Sequence, residues 1–412
     1  YEYVSCENAN RLRGERLTNV LLEETLVQWL RENNRIQFKG KEYPFSEGNI
    51  LSAVQAIKDV PIDGLVRTNE KIYDLICLGK SLQQSIDGDI KSFSLKYIDW
   101  ENPEKNVFQM VEEFEVEKSR SKEKRIPDIV LFVNGIPLCV IECKSPYIKE
   151  PIKEAISQHI RNQKPEEIPK LFIYSQLLLS VSKNEANYAT VGTALKFWAF
   201  WRENNKGYES ELRELVSKSK QDKILLDTFA KRNIENQMNL SCPEERMITE
   251  QDKAIYSLCE PKRLLELTYK YILFDAGEKK IARYQQYFCV RKILERISVR
   301  EKNGKRKGGV VWHTQGSGKS LTMVILAKCI ALEKEISEHK IIIVTDRIDL
   351  DKQIKDTFQH CEKEVVQATT GKELSELLQG NKDRIITTII DKFEASVGRS
   401  VINENPNIFV LV

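Results

Sequence analysis

The sequence predicts an α/β fold in two successive units, and three observations predict it. At 412 residues the chain is too long for one hydrophobic core, and ~150 residues per domain gives two or three domains. In the second half, short β-rich runs at 309–312, 340–345, 385–388 and 408–412 alternate with helical segments. That βαβ rhythm belongs to a doubly wound parallel sheet with helices on both faces. In the first half, apolar runs at 128–133 and 136–144 flank Asn134-Gly135, a strong hairpin signal, with helical segments on either side.

Residues 17–35 carry apolar side chains at helical spacing, and 49–59 and 70–80 read as further helices. Residues 89–98 alternate as a strand, 107–117 follow as another, and 118–125 form a charged loop. Beyond the hairpin, 152–163 is helical and 171–181 strand-like. Residues 203–240 are polar and charge-rich, so the boundary is set at their end, giving units of 1–240 and 241–412. Residues 262–274 and 283–297 are helices preceding the run at 309–312, and a long helix follows at 321–332.

Composition narrows the function classes. Sixty-four basic residues against 61 acidic ones give +3, so any nucleic-acid path must come from local clustering. Nine cysteines without a Cys-x-x-Cys pair, and four histidines that form no ligand pattern with them, favour free thiols in a reducing, cytoplasmic compartment over a zinc site. The apolar runs are far below the ~18 residues of a membrane span, and the first residues carry no targeting pattern.

The sharpest signal is His313-Thr314-Gln315-Gly316-Ser317-Gly318-Lys319-Ser320 between a predicted strand and a predicted helix. This is the context of a phosphate-binding loop. Gly316 and Gly318 let backbone N–H groups crowd around phosphate oxygens, together with those of Thr314, Gln315 and Ser317. The helix N-terminus adds its positive end, Lys319 reaches the outer phosphates, and Ser320 Oγ is a Mg²⁺ ligand. His313 stands where the usual motif has its first glycine, so only the second half matches strictly. Upstream, Gln286 in Arg283-Tyr284-Gln285-Gln286-Tyr287 resembles the adenine-reading glutamine of superfamily 2 helicases, against the plainer reading of an exposed helical glutamine. Downstream, Thr345-Asp346-Arg347, Leu350, Gln353, Thr387-Thr388 and Lys392-Phe393 follow predicted strand ends, where such sheets bind ligands. They resemble helicase motifs that hold a tracked strand, and capping and turn chemistry is the competing account. The acidic Mg²⁺-holding pair expected directly after 408–412 falls beyond the sequence.

A second candidate site is Pro127-Asp128 with Glu142-Cys143-Lys144, a P-D…E-x-K arrangement. Asp128 and Glu142 can hold Mg²⁺, which polarises a scissile phosphate and acidifies water, while Lys144 offsets the developing charge. Glu142 and Lys144 share a strand face. Asp128 joins them only in the right register. A two-residue turn at Asn134-Gly135 sets Asp128 opposite Ile141, facing away, unless a bulge intervenes elsewhere. A three-residue loop pairs Phe132 with Ile136 and brings Asp128 onto the face of Glu142. The nuclease reading therefore predicts the three-residue loop. An exposed, salt-bridged strand face is the ordinary alternative. Against it, the acids interrupt runs that are apolar on both sides. Gln158, on the following helix, is placed to reach metal or water.

These stretches together resemble the R (restriction, motor) subunit of type I restriction–modification enzymes. The resemblance rests on Ile98-Asp99-Trp100-Glu101-Asn102-Pro103, Asn106-Val107-Phe108, IPDIVLFVNGIPLCVIECKSP at 126–146, and the segments 281–288, 312–323 and 345–353, in family order. It implies a PD-(D/E)xK nuclease domain followed by the first RecA-like motor lobe of a superfamily 2 helicase. It implies Asp128, Glu142 and Lys144 as cleavage residues. It also implies ATP-driven translocation on double-stranded DNA and assembly with modification (M) and specificity (S) subunits. Departures are Ile126 where the family usually has Arg, and Asn162 where a Gln-x-x-x-Tyr helix motif would end. A carboxylate often supplied by a first helix is expected to lie ahead of Tyr1. The alternative is a superfamily 2 helicase whose N-terminal domain binds DNA with an inactive nuclease-like fold.

Overall fold

A computed structural model describes residues 1–204, 207–218, 247–275, 277–302, 304–314, 318–333, 335–336, 339–345, 365–368, 370–379, 384–397, 405 and 407–412. It is a mixed α/β structure with two main sheets.

The first sheet has six strands, in the order Glu2–Val4, Phe108–Glu112, Ile129–Val133, Ile136–Cys143, Leu177–Ser182 and Glu185–Ala189. Its outermost N-terminal pair is parallel, as is the pair of Ile136–Cys143 with Leu177–Ser182, and the other pairings are antiparallel. The central strands are apolar on both faces because both are covered. Helix Pro151–Asn162 covers the side on which Gln158 meets Glu142. Helix Glu250–Cys259 packs on the last two strands and brings Cys259 against Cys139, whose alternation with Glu142 turns it the other way. Residues 250–259, expected to open the second unit, thus cover the first sheet.

A short helix, Cys6–Leu12, precedes the helix expected over 17–35, which runs only over Glu23–Asn33, since Leu22 is fixed by its N–H bond to the Gly135 carbonyl. Helices Glu47–Lys58 and Leu65–Leu78 follow the expected spacing. The predicted helix over 262–274 is shorter: Pro261–Lys270 is helical, and Ile272–Asp275 turns into a hairpin with Glu278–Ile281. Likewise 171–181 divides into helix Pro169–Phe172 and strand Leu177–Ser182.

The second sheet is wholly parallel, in the order Val365–Gln367, Arg384–Ile389, Lys340–Thr345 and Ile408–Leu411. Helix Lys319–Leu332 is apolar nearly all round, as suits an element enclosed by its neighbours. The predicted strand at 309–312 is not a strand. Val310 and Trp312 are 97% and 92% exposed, and no ladder partner among the described residues accepts the segment. A β-rich run becomes a strand only when an edge pairs with it, and among the described residues Ile408–Leu411 pairs with Lys340–Thr345 alone.

Candidate nuclease and nucleotide sites

The hairpin decides where the two acids lie. Asn134 and Gly135 both have positive φ, 52° and 79°, so the turn has two residues and Val133 pairs with Ile136. The three-residue loop expected for the nuclease reading does not form. Asn134 explains why. Its amide Oδ1 accepts from Val107 N–H at 2.7 Å, and its Nδ2 donates to the Tyr97 carbonyl and to Asn106 Oδ1. The register is restored further along. Pro137 pairs with Phe132 but Cys139 pairs with Leu131, so Leu138 is the extra residue of a β-bulge. Ile141 then pairs with Ile129, and continuing the ladder sets Asp128 opposite Glu142.

Side-chain bonds join the group. Asp128 Oδ2 accepts from the Cys143 backbone N–H at 2.6 Å. Gln158 Nε2 donates to Glu142 Oε2 at 2.6 Å, and Gln158 Oε1 accepts from Lys144 Nζ at 2.7 Å. Asp128, Glu142, Lys144 and Gln158 are therefore one cluster. Glu142 is fully buried, and its Oε1 has no hydrogen-bond partner. Burial, and next the neighbouring Asp128 charge, push its carboxyl up to about 8. A buried, partnerless carboxylate oxygen facing a second carboxylate is a donor set that suits a hard divalent cation. Among the described residues, no group of three Asp, Glu, His or Cys side chains gathers as a fuller metal cage.

In the second unit, Gly318 caps helix Lys319–Leu332 in the left-handed conformation, φ 82°. Lys319 and Ser320 are exposed in its first turn. Thr314 is exposed and outside regular structure, and Gln315, Gly316 and Ser317 lie outside the described residues. Gln286 is buried, not a surface glutamine. Its Oε1 accepts from Arg283 N–H at 2.9 Å, and its Nε2 donates to the Gly318 carbonyl at 3.2 Å. The glutamine thus touches the phosphate-loop turn 32 residues away in sequence. A cavity of about 380 Å³ opens beside it, walled by Gln286, Gly318 and Leu321 on one side and by Gly192, Thr193 and Phe197 of the first unit on the other. Thr345, Thr387 and Thr388 are buried at the ends of parallel strands, and Phe393 is on helix Ile390–Val397. Asp346, Arg347, Leu350 and Gln353 lie outside the described residues.

Residues 1–197 match the family model described as type I restriction enzyme R protein N terminus, and residues 285–412 match the SWI2/SNF2 ATPase model. A putative type I restriction enzyme MjaIXP endonuclease subunit of Methanocaldococcus jannaschii is 31% identical over 78% of the chain and 29% of its own length. The chain belongs to the endonuclease (R) subunit family of type I restriction enzymes. The type I restriction enzyme HindI endonuclease subunit of Haemophilus influenzae is 29% identical over 97% of the chain and 35% of its own length. This R-subunit chain therefore spans about a third of the length of the curated relatives it matches. The two family models fall on the two sheets, one on each candidate site. Sequence reasoning missed the Leu138 bulge, which carries no composition signal. It also missed that Glu250–Cys259 covers the first sheet, because amphipathic spacing does not name the partner of a face.

Proposed function

We propose that the chain is the nuclease and first motor portion of a type I restriction subunit. It would couple ATP-dependent translocation on double-stranded DNA to Mg²⁺-dependent endonucleolytic cleavage of foreign DNA in the cytoplasm, working with M and S subunits. In this reading 1–240 is a PD-(D/E)xK nuclease domain with its connecting helices and 241–412 a RecA-like lobe. The observation that carries it is that Gln158 ties Glu142 to Lys144 while the Leu138 bulge sets Asp128, held by the Cys143 N–H, opposite Glu142.

Asp128 and Glu142 would hold a divalent cation, whose chemistry is to polarise a phosphodiester oxygen and acidify a water molecule. The Cys143 N–H fixes Asp128. Gln158 holds one oxygen of Glu142 and leaves the other directed at the site. The same amide holds Lys144 Nζ beside the carboxylates, where its charge offsets that developing on the phosphate. In the motor, Lys319 and Ser320 at the helix N-terminus would hold phosphate and Mg²⁺, and Gln286, placed against Gly318, would contact the base.

In the complete enzyme, Asp128→Ala should abolish DNA cleavage and leave ATP hydrolysis intact, whereas Lys319→Ala should stop both. Cleavage by Asp128→Ala at the wild-type rate would overturn the nuclease assignment. It would favour the second reading, a superfamily 2 helicase whose N-terminal domain binds DNA with an inactive nuclease-like fold.

A further inference from the structure

The two units meet through two buried lysine side chains, Lys279 and Lys328. Lys279 projects from the hairpin strand Glu278–Ile281 and is 4% exposed. Its Nζ donates to Asn69 Oδ1 at 2.7 Å, to the Ser175 carbonyl at 3.4 Å and to Gln176 Oε1. All three acceptors are neutral oxygens of the first unit. Lys328, on the phosphate-loop helix, is also buried. It donates to Tyr73 Oη at 2.9 Å and to the Ile272 carbonyl at 3.0 Å. Asn69 and Tyr73 lie one turn apart on Leu65–Leu78, and both ammoniums sit 5–6 Å from the Tyr73 ring centroid (5.9 and 5.3 Å).

The acceptors of Lys279 lead to the nuclease candidate. Gln176 donates its backbone N–H to the carbonyl of Leu138 at 2.7 Å, and Leu138 is the bulge residue that sets Asp128 opposite Glu142. Gln176 is otherwise held by the Thr190 hydroxyl on its carbonyl and by its own amide on Tyr174 O. Asn69 donates to the carbonyls of Phe172, Ile173 and Ser175, fixing the turn that delivers Gln176. An ammonium buried against neutral dipoles is costly, and burial holds Lys279 well below the usual lysine range. Core packing alone would be met by an apolar side chain of the same length.

We propose that Lys279 is a positioning residue for the nuclease carboxylates. It reaches from the second unit, through Gln176, to hold the Leu138 bulge in the register that pairs Asp128 with Glu142. The proposal rests on the reading of those acids as metal ligands. Through Tyr73 the same junction is continuous with the phosphate-loop helix.

The test is Mn²⁺ binding by calorimetry on the whole 412-residue chain, with amide exchange followed over 136–143. Lys279→Met keeps an aliphatic stem and removes the donors. It should weaken Mn²⁺ binding about tenfold and speed exchange around Leu138, and Lys279→Arg, which keeps a cationic donor, should restore both. Wild-type affinity and exchange in Lys279→Met would overturn the proposal, as would an Arg variant no better than Met, since that marks a packing loss. Should Lys279→Met not fold, Gln176→Met gives the same reading, because it loses the acceptor but keeps the backbone bond to Leu138. Asp128→Ala is the control. If it binds Mn²⁺ like wild type, the metal reading fails by itself, and the exchange difference still decides whether Lys279 holds the bulge.

Discussion

Single atoms set the chemistry of the candidate nuclease. Glu142 offers one oxygen to Gln158 and keeps the other unpaired, so replacing the glutamine should matter even though it contributes no charge. Gln158→Leu is expected to lower DNA cleavage by the complete enzyme about 10–100-fold, the range seen when an outer partner of a metal ligand is lost. Nicking rates under matched Mg²⁺ measure this. The carboxyl of Glu142 also predicts a pH dependence. Its folded value of about 8 lies above the usual 4.5, so between those values the folded chain holds a proton that the unfolded chain has released. The stabilisation is fully present below about 4.5 and is lost as pH rises through 8. Thermal midpoints in a chelator should therefore fall from pH 5 to pH 8, and Glu142→Gln should flatten that slope. A slope unchanged by the substitution would assign the proton to another group. These acids were legible in the sequence because a P-D…E-x-K pattern interrupts runs that are otherwise apolar on both sides. The bonds of Gln158 to both Glu142 and Lys144 were not legible, since they depend on the packing angle of a helix.

At the level of elements, the hairpin shows what a local pattern can and cannot specify. Asn-Gly marks its turn correctly, and both residues adopt the left-handed backbone that this dipeptide favours. The face on which Asp128 emerges is decided elsewhere, by Leu138, an ordinary apolar residue among others. Gly135 has a further constraint that no turn rule contains: an added Cβ would collide with the Leu22 carbonyl oxygen. Gly135→Ala should destabilise the chain by about 2 kcal/mol or more, combining backbone strain with that clash, as a shift in urea midpoint would report. Gly135→Ala with wild-type stability would mean that helix Glu23–Asn33 shifts freely to accommodate it. The segment 309–312 gives the opposite lesson. Its β-branched composition reads as a strand, but strand formation is a property of a pair, and no partner edge is found among the described residues.

For the whole molecule, a mixed sheet and a wholly parallel one share one buried cluster. The alternation of β-rich and helical runs made three strands of the parallel sheet legible, at 340–345, 384–389 and 408–411, whereas the three-residue edge strand Val365–Gln367 was too short to show in the pattern. In the mixed first sheet the strands within 107–117, 128–144 and 171–181 were legible, but their pairing was legible only at the hairpin, because the parallel pairs join strands far apart in the chain. Lys319 is exposed, so Lys319→Ala should leave the thermal midpoint unchanged while removing ATP turnover from the complete enzyme. A large drop in midpoint would show that the lysine supports the fold as well.

The position of helix Glu250–Cys259 bears on any attempt to dissect this protein. A fragment ending near residue 240 retains every strand of the first sheet but uncovers Cys139 and its neighbours, turning an interior surface into a sticky exterior one. Expression of 1–240 should give aggregated material, whereas 1–283, which keeps helix Glu250–Cys259 and the hairpin carrying Lys279, should remain dispersed by light scattering, because the folding unit of the sheet extends past the place where composition would cut it.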